Sequence, residues 1–571
     1  MDLFLIDGIA PFFRGFDQEV INWSKAPFAH LEKGDGLNVK RLEQIRCDFR
    51  TFCEKAADAG YNAITLDDLA HLCIFDFYEP ELIHKLFEYR LFFSELFEIA
   101  DENGLTPYIT TDLLFYNRAI EKHIGTKDED VRRFAADACR QLFTDFPGIG
   151  GLIVRIGEAD GLDVEGDFHS RLVLKTPLQA RRMIEALIPV FEEFDRLLIF
   201  RTWSVGVGKV GDIIWNPDTF DAVFQGLEHE HFIISMKYGP SDFFRYLPLS
   251  RLFFRGGHRK LVEFQARREY EGFGEYPSFI GWDYENIRDK LIGQNMAGIS
   301  VWSQTGGWSG FRRLTYLDDN AVWNEINAFV TVRLFRDQTR TTDQVIQEYY
   351  RRNYPDPHWR PLQELLKLSD EVIKELLYTE DFASRNIYFR RLRVPPLVNV
   401  YWRHIVANHF MRKFMRCYVS DGRRAVKQGF GALKKIKRMK ELALRLGLPA
   451  EDLQFQYDTF SIIAAVREYY FLDFTDELVE RLQKMKAEYE MKYEEPRYVL
   501  MLDTSKFKLR RAHLHLMLKT MFRGEHGYRL FDRIVMLNVL SVMYPLLKRF
   551  SRKAVPEFAS ESAMGIDSIF K

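Results

Sequence analysis

The chain reads as an α/β protein, a (β/α)8 TIM barrel followed by an all-helical C-terminal domain. Three observations predict this. Eight short apolar, β-branched runs alternate with helix-length amphipathic stretches over roughly the first 320 residues. Polar and charged residues gather directly after those runs, where a barrel carries its chemistry. Beyond that point strand-like runs almost stop and long helical patterns take over.

The expected strands are 3–9, 62–66, 107–111, 151–156, 196–202, 231–237, 260–265 and 298–303. The stretches 39–59, 83–103, 128–143, 177–194 and 284–294 between them carry helical periodicity. Eight such units fit a closed barrel of ~250 residues or somewhat more. An open doubly wound sheet is the structural alternative, and the count of eight favours closure. Later helices are expected at 342–352, 361–377, 397–418, 424–446, 458–485 and 530–550. The domains are thus 1–320, the barrel, and 321–571, the helical domain.

At 571 residues the chain exceeds one ordinary core. Its net charge of −2 supplies no global positive field, so neither nucleic acid nor an anionic membrane is an expected partner. The basic stretch 427–438 reads as a solvated helix face. Five scattered cysteines without a CxxC pair form neither a disulfide framework nor a zinc site. The opening MDLFLIDGIAPFF reads as a first strand rather than a signal peptide. No stretch reaches the ~18 apolar residues of a membrane span, and a cytoplasmic setting is expected.

Two motifs carry little. GVGKVG, ending at Gly211, matches a dinucleotide fingerprint, but the following DIIWNPDTFD is loop-like, and a cofactor site needs a helix opening at the last glycine. His229 and His231 precede their strand and so fall on the face of the barrel away from chemistry. His513 and His515 sit two apart in a helix and point to different sides. No metal or cofactor is expected.

Three carboxylates stand just past expected strands. They are Glu158 in GLIVRIGEADG, Asp242 in FIISMKYGPSDFF and Glu269 in KLVEFQARREYEGF. A barrel turns such positions toward one mouth, and glycoside hydrolysis needs one carboxyl to give a proton and another to activate water or attack the sugar. Arg155, Arg201 and Lys237 accompany them and would either bind an anionic substrate group or pair with the acids. Trp203, Trp302 and Trp308 offer flat faces to sugar rings, or simply pack.

The run from GGLIVRIGEADG through RLLIFRTW, FIISMKYGPSDFF and LVEFQARREYEGF resembles the barrel of the α-glucuronidases of glycoside hydrolase family 67. The segment NAVWNEINAFVTVRLFRDQTRTTDQVIQEYYRR is similar to the start of that family's helical domain. The resemblance spans about residues 60–355. It implies an inverting hydrolase that removes a terminal α-linked uronic acid from an oligosaccharide. Glu158 would be the general acid, and Asp242 or Glu269 or both the base. Arg155, where the family has lysine, Arg201 and Lys237 would meet the uronate. The chain departs from the family at the shorter loop around Glu158 and in lacking its N-terminal domain. It departs also at Asp67 and Asp68, which stand where the family is neutral and would suit neutral hydroxyls. A hydrolase of a neutral sugar and a catalytically inactive carbohydrate-binding protein are the alternatives. The helical domain would serve equally as a homodimer interface or as packing on the barrel.

Overall fold

The computed structural model describes residues 1–16, 26–34, 36–124, 127–156, 166–170, 173–203, 209–304, 313–389, 392–401, 403–493, 497–505 and 510–524. Eight parallel strands close into a barrel. They are β1 (Leu3–Asp7), β2 (Ala63–Asp67), β3 (Thr106–Asp112), β4 (Gly151–Arg155), β5 (Leu197–Arg201), β6 (Phe232–Lys237), β7 (Arg259–Gln265) and β8 (Met296–Trp302). Each strand lies within one of the expected runs or overlaps it almost entirely, because runs buried on both faces are mainly apolar. Closure pairs Leu3 with Gly298, where an added Cβ would lie 1.7 Å from the Leu3 carbonyl oxygen. Glycine is what allows β1 and β8 to meet there.

Helices wrap the outside. α1 (Val39–Ala59) is started by the Asn38 side chain, which accepts from the Arg41 N–H, and is ended by left-handed Gly60. Its residues Leu42, Ile45, Phe49, Phe52 and Ala56 recur every three or four positions and face the strands. α2 (Pro80–Glu102), α3 (Asp128–Asp145), α4 (Pro177–Glu193), α5 (Pro217–Phe224) and α6 (Gly281–Leu291) follow. α7 (Val322–Arg336) lies against β8 and α1, and its apolar residues join the barrel's core. α5 opens at Pro217, capped by Asn216, so no helix begins at Gly211.

The C-terminal region holds α8 (Thr342–Asn353), α9 (Arg360–Val372), α10 (His409–Tyr418), α11 (Gly422–Arg445), α12 (Ala450–Phe471), α13 (Asp476–Lys492) and α14 (Arg511–Met521). Most of these helices build a second core around buried Ile463, Val466 and Met439. Two expectations need correction. The helix expected at 397–418 begins only at His409, because β9 (His404–Asn408) precedes it and pairs in parallel with β10 (Val499–Asp503). That pairing is between distant segments and is invisible to local periodicity. The helix expected at 458–485 is two, since Leu472 turns extended and Thr475 caps a new start by accepting from the Leu478 N–H. The helix expected at 530–550 lies outside the described residues. Among the described residues no helix is long and apolar enough to cross a membrane.

Candidate active site

Residues two apart on a strand share a face. Inside the barrel an apolar layer is built by Leu5, Ala63, Tyr108, Ile153, Ile199, Ile233 and Leu261. Two and four residues further along the same strands stand Asp7, Asp67, Asp112, Arg155, Arg201, Lys237, Glu263 and Gln265, all buried. The barrel is therefore filled with hydrocarbon below and with charge above, at the strands' C-terminal ends.

The charges are matched. Arg201 donates from Nε and Nη2 to Glu263 at 2.9 and 2.8 Å. Glu263 also accepts from Ser235 Oγ at 2.7 Å and from the Trp302 indole N–H at 3.2 Å. Burial works to raise the Glu263 pKa, but Arg201, Lys237 and Ser235 together hold it below the ordinary value. The Arg201 guanidinium lies over the Trp302 ring, 4.5 Å from its centroid. Trp302 thus braces the pair rather than standing open. Arg155 pairs with Asp112 at 3.0 Å on the neighbouring strand.

Lys237 is bonded to Asp242 at 2.6 Å and sits 3.6 Å from the centroid of the Trp203 ring. Asp242 further accepts from the Tyr270 hydroxyl at 2.8 Å and from the Phe243 N–H at 2.9 Å. Its carboxylate oxygens thus meet one cation and two further donors. Its side chain retains 13% exposure, enough to meet water.

Glu269 is different. It is 4% exposed, and its Oε2 accepts from Gln265 Nε2 at 3.1 Å. Its Oε1 is buried without a hydrogen-bond partner among the described residues. Burial, and next the charge of Asp242, push its pKa up to about 8, against the opposing pull of Arg267 and Lys237. The two carboxyls thus stand in unlike surroundings, Asp242 against a cation and Glu269 where burial favours its protonated form, an arrangement of acid–base sites. Asp7, at the end of β1, is also raised by burial, to about 7, while accepting from the Ser303 N–H and Oγ and the Gln304 N–H.

The structure thus gathers Asp242, Glu269, Lys237 and Trp203 in one group and Arg201 with Trp302 beside it. Asp67 accepts from the Ala26 N–H at 2.8 Å, and Asp68 contacts His71 Nδ1 at 2.7 Å. Glu158 and Trp308 lie outside the described residues. Glu263, Asp112 and Asp7 were not anticipated. Their signal was present as a charged residue inside an apolar strand at the parity of the candidate site residues. No group of three or more metal-ligating side chains occurs among the described residues.

No protein-family model matches the chain, and no curated protein matches it in sequence. Among solved structures it is similar to a GH138 enzyme targeting pectin rhamnogalacturonan II, at 10% identity and TM-score 0.45, over 77% of this chain and 56% of that one. It is similar also to CpGH84B, at 9% identity and TM-score 0.36, over 78% of this chain and 69% of that one. A third is D-psicose 3-epimerase with D-tagatose from Clostridium cellulolyticum H10, at 12% identity and TM-score 0.31, over 51% of this chain and 93% of that one. This chain spans little more than half the length of the GH138 enzyme.

Proposed function

We propose that the protein is a glycoside hydrolase that removes a terminal α-linked uronic acid from an oligosaccharide with inversion. The observation that carries the hydrolase reading is the Asp242–Glu269 pair, one carboxyl bonded to Lys237 and Tyr270 and the other kept protonated by burial. Asp242 takes the proton of the attacking water. Glu269, neutral at pH 7, donates a hydrogen bond that holds this water. Glu158 gives a proton to the leaving oxygen, a role that rests on its resemblance to the family 67 acid. Arg201 Nη1, buried and without a partner among the described residues, is a donor available to a sugar oxygen. The uronate specificity rests on the family 67 resemblance.

A neutral sugar is the second reading, and one observation favours it. Arg155, Arg201 and Lys237 are each already paired, with Asp112, Glu263 and Asp242. Such a row carries little spare positive charge for a uronate. The test is hydrolysis of uronic-acid-capped oligosaccharides beside matched neutral ones, with the released anomer followed by NMR. Release from the acidic set alone supports the uronidase. Release from the neutral set alone moves the assignment to the second reading. Tight binding with no product would leave a carbohydrate-binding protein and remove the hydrolase.

A further inference from the structure

Behind the candidate acids lies a buried ionic cluster that none of the proposed chemistry uses. Glu271, wholly buried, accepts from Arg245 Nε at 3.2 Å, from Arg268 Nε at 3.0 Å and from Ser278 Oγ at 2.6 Å. Arg268 reaches both catalytic loops. Its Nη2 donates to the Phe243 carbonyl, next to Asp242, at 2.7 Å. Its Nη1 donates to the Tyr284 hydroxyl at 3.3 Å, and that hydroxyl donates to the Gln265 carbonyl at 2.9 Å. Gln265 in turn grips Glu269 twice, through the Glu269 N–H at 2.9 Å and the carboxylate at 3.1 Å.

The cluster is closed from outside the barrel. Tyr378, just beyond α9, donates its hydroxyl to Glu271 at 2.9 Å and accepts from the Arg245 N–H at 3.2 Å. Asp370, on α9, binds Arg245 Nη1 at 2.6 Å. Three cations, Arg245, Arg268 and Lys374, face three anions, Glu271, Asp283 and Asp370. Burying such charges is costly unless every one is paired, so the cluster tolerates few alternative arrangements. A side chain in that position transmits its own placement to whatever the cluster holds.

We infer that the helical domain completes the active site: Tyr378 and Asp370 are positioning residues that, through Glu271, Arg245 and Arg268, fix the loops carrying Asp242 and Glu269. The inference rests on the hydrolase reading for its catalytic consequence only. Positioning residues of this kind act on the rate because small displacements of reacting groups are costly.

The test compares wild type with Tyr378→Phe, Asp370→Asn and the double variant. The first readout is the titration of the Glu269 carboxyl followed by carbon NMR, which needs no substrate. In the double variant the Glu269 midpoint should fall by about one pH unit as its burial relaxes. The second readout is turnover, where kcat should fall about tenfold with KM little changed, and Asp370→Glu should restore much of it. Should the double variant not fold, Tyr378→Phe keeps the ring packing and supports the same comparison. A Glu269 midpoint equal to wild type in folded variants overturns the inference. A wild type without turnover on any glycoside sinks the hydrolase reading, and the titration still decides the positioning role.

Discussion

Replacing Glu269 by glutamine should stabilise the protein, and only at high pH. Glutamine has nearly the shape of the protonated acid. Its oxygen can keep the hydrogen bond from Gln265, and its amide takes the place of the Oε1 side. Folded Glu269 keeps its proton up to about 8, whereas the unfolded chain releases it near 4.5. Between those values the unfolded state binds fewer protons than the folded one, so wild-type stability falls as pH rises. Below the window both states are protonated and the two proteins should agree. Above it the full shift is worth about 5 kcal/mol, at 1.36 kcal/mol per unit for a group with no solvent screening. Glutamine does not titrate, so the variant escapes this loss. Urea unfolding of both proteins at about pH 4.5, 6.5 and 8.5 measures it. The variant should draw ahead by several kcal/mol toward the alkaline end. A gap between the proteins that stays constant across the three pH values would refute the account of Glu269.

Other outcomes follow from the same geometry. Lys237→Met removes the cation bonded to Asp242, so turnover should drop about 100-fold and the Glu269 titration should move still higher, because Lys237 lowers it now. Glu263→Gln leaves Arg201 buried with no counter-charge and should cost about 3–5 kcal/mol in denaturant unfolding, with a stable variant contradicting the pairing. Glu158→Gln should abolish turnover on a natural glycoside while leaving the circular dichroism spectrum unchanged. Wild-type activity in that variant would remove Glu158 from the acid role.

The barrel was legible because its strands are buried on both faces and therefore read as mainly apolar runs, such as LIVR at β4 and FIISMK at β6, each ending in a cation. Most helices of the barrel were equally plain, since one face of each meets the strands and the apolar spacing shows it, but the short α5 (Pro217–Phe224) lay in a stretch read as loop-like. What escaped was non-local. The pairing of His404–Asn408 with Val499–Asp503 spans nearly a hundred residues of chain and leaves no periodic trace. Asp242, Glu269, Arg201 and Lys237 could be singled out because they follow or end strands. Glu263 was overlooked because it lies within one, although its parity with Leu261 already turned it inward. The sequence could not have said that Arg201 is spoken for by Glu263, since pairing is a property of the folded barrel. The cluster around Glu271 was out of reach for the same reason, as four of its six charges come from 245–283 and the other two, Asp370 and Lys374, from beyond the barrel.

The most direct trial of the account is small-anion rescue of Asp242→Ala. Water needs a base to attack a sugar, whereas azide is already a nucleophile and needs none. On an aryl glycoside of the right sugar, the variant should be inert in buffer, should regain turnover when azide is added, and should release a glycosyl azide visible by NMR. Hydrolysis by Asp242→Ala in plain buffer at the wild-type rate would contradict it.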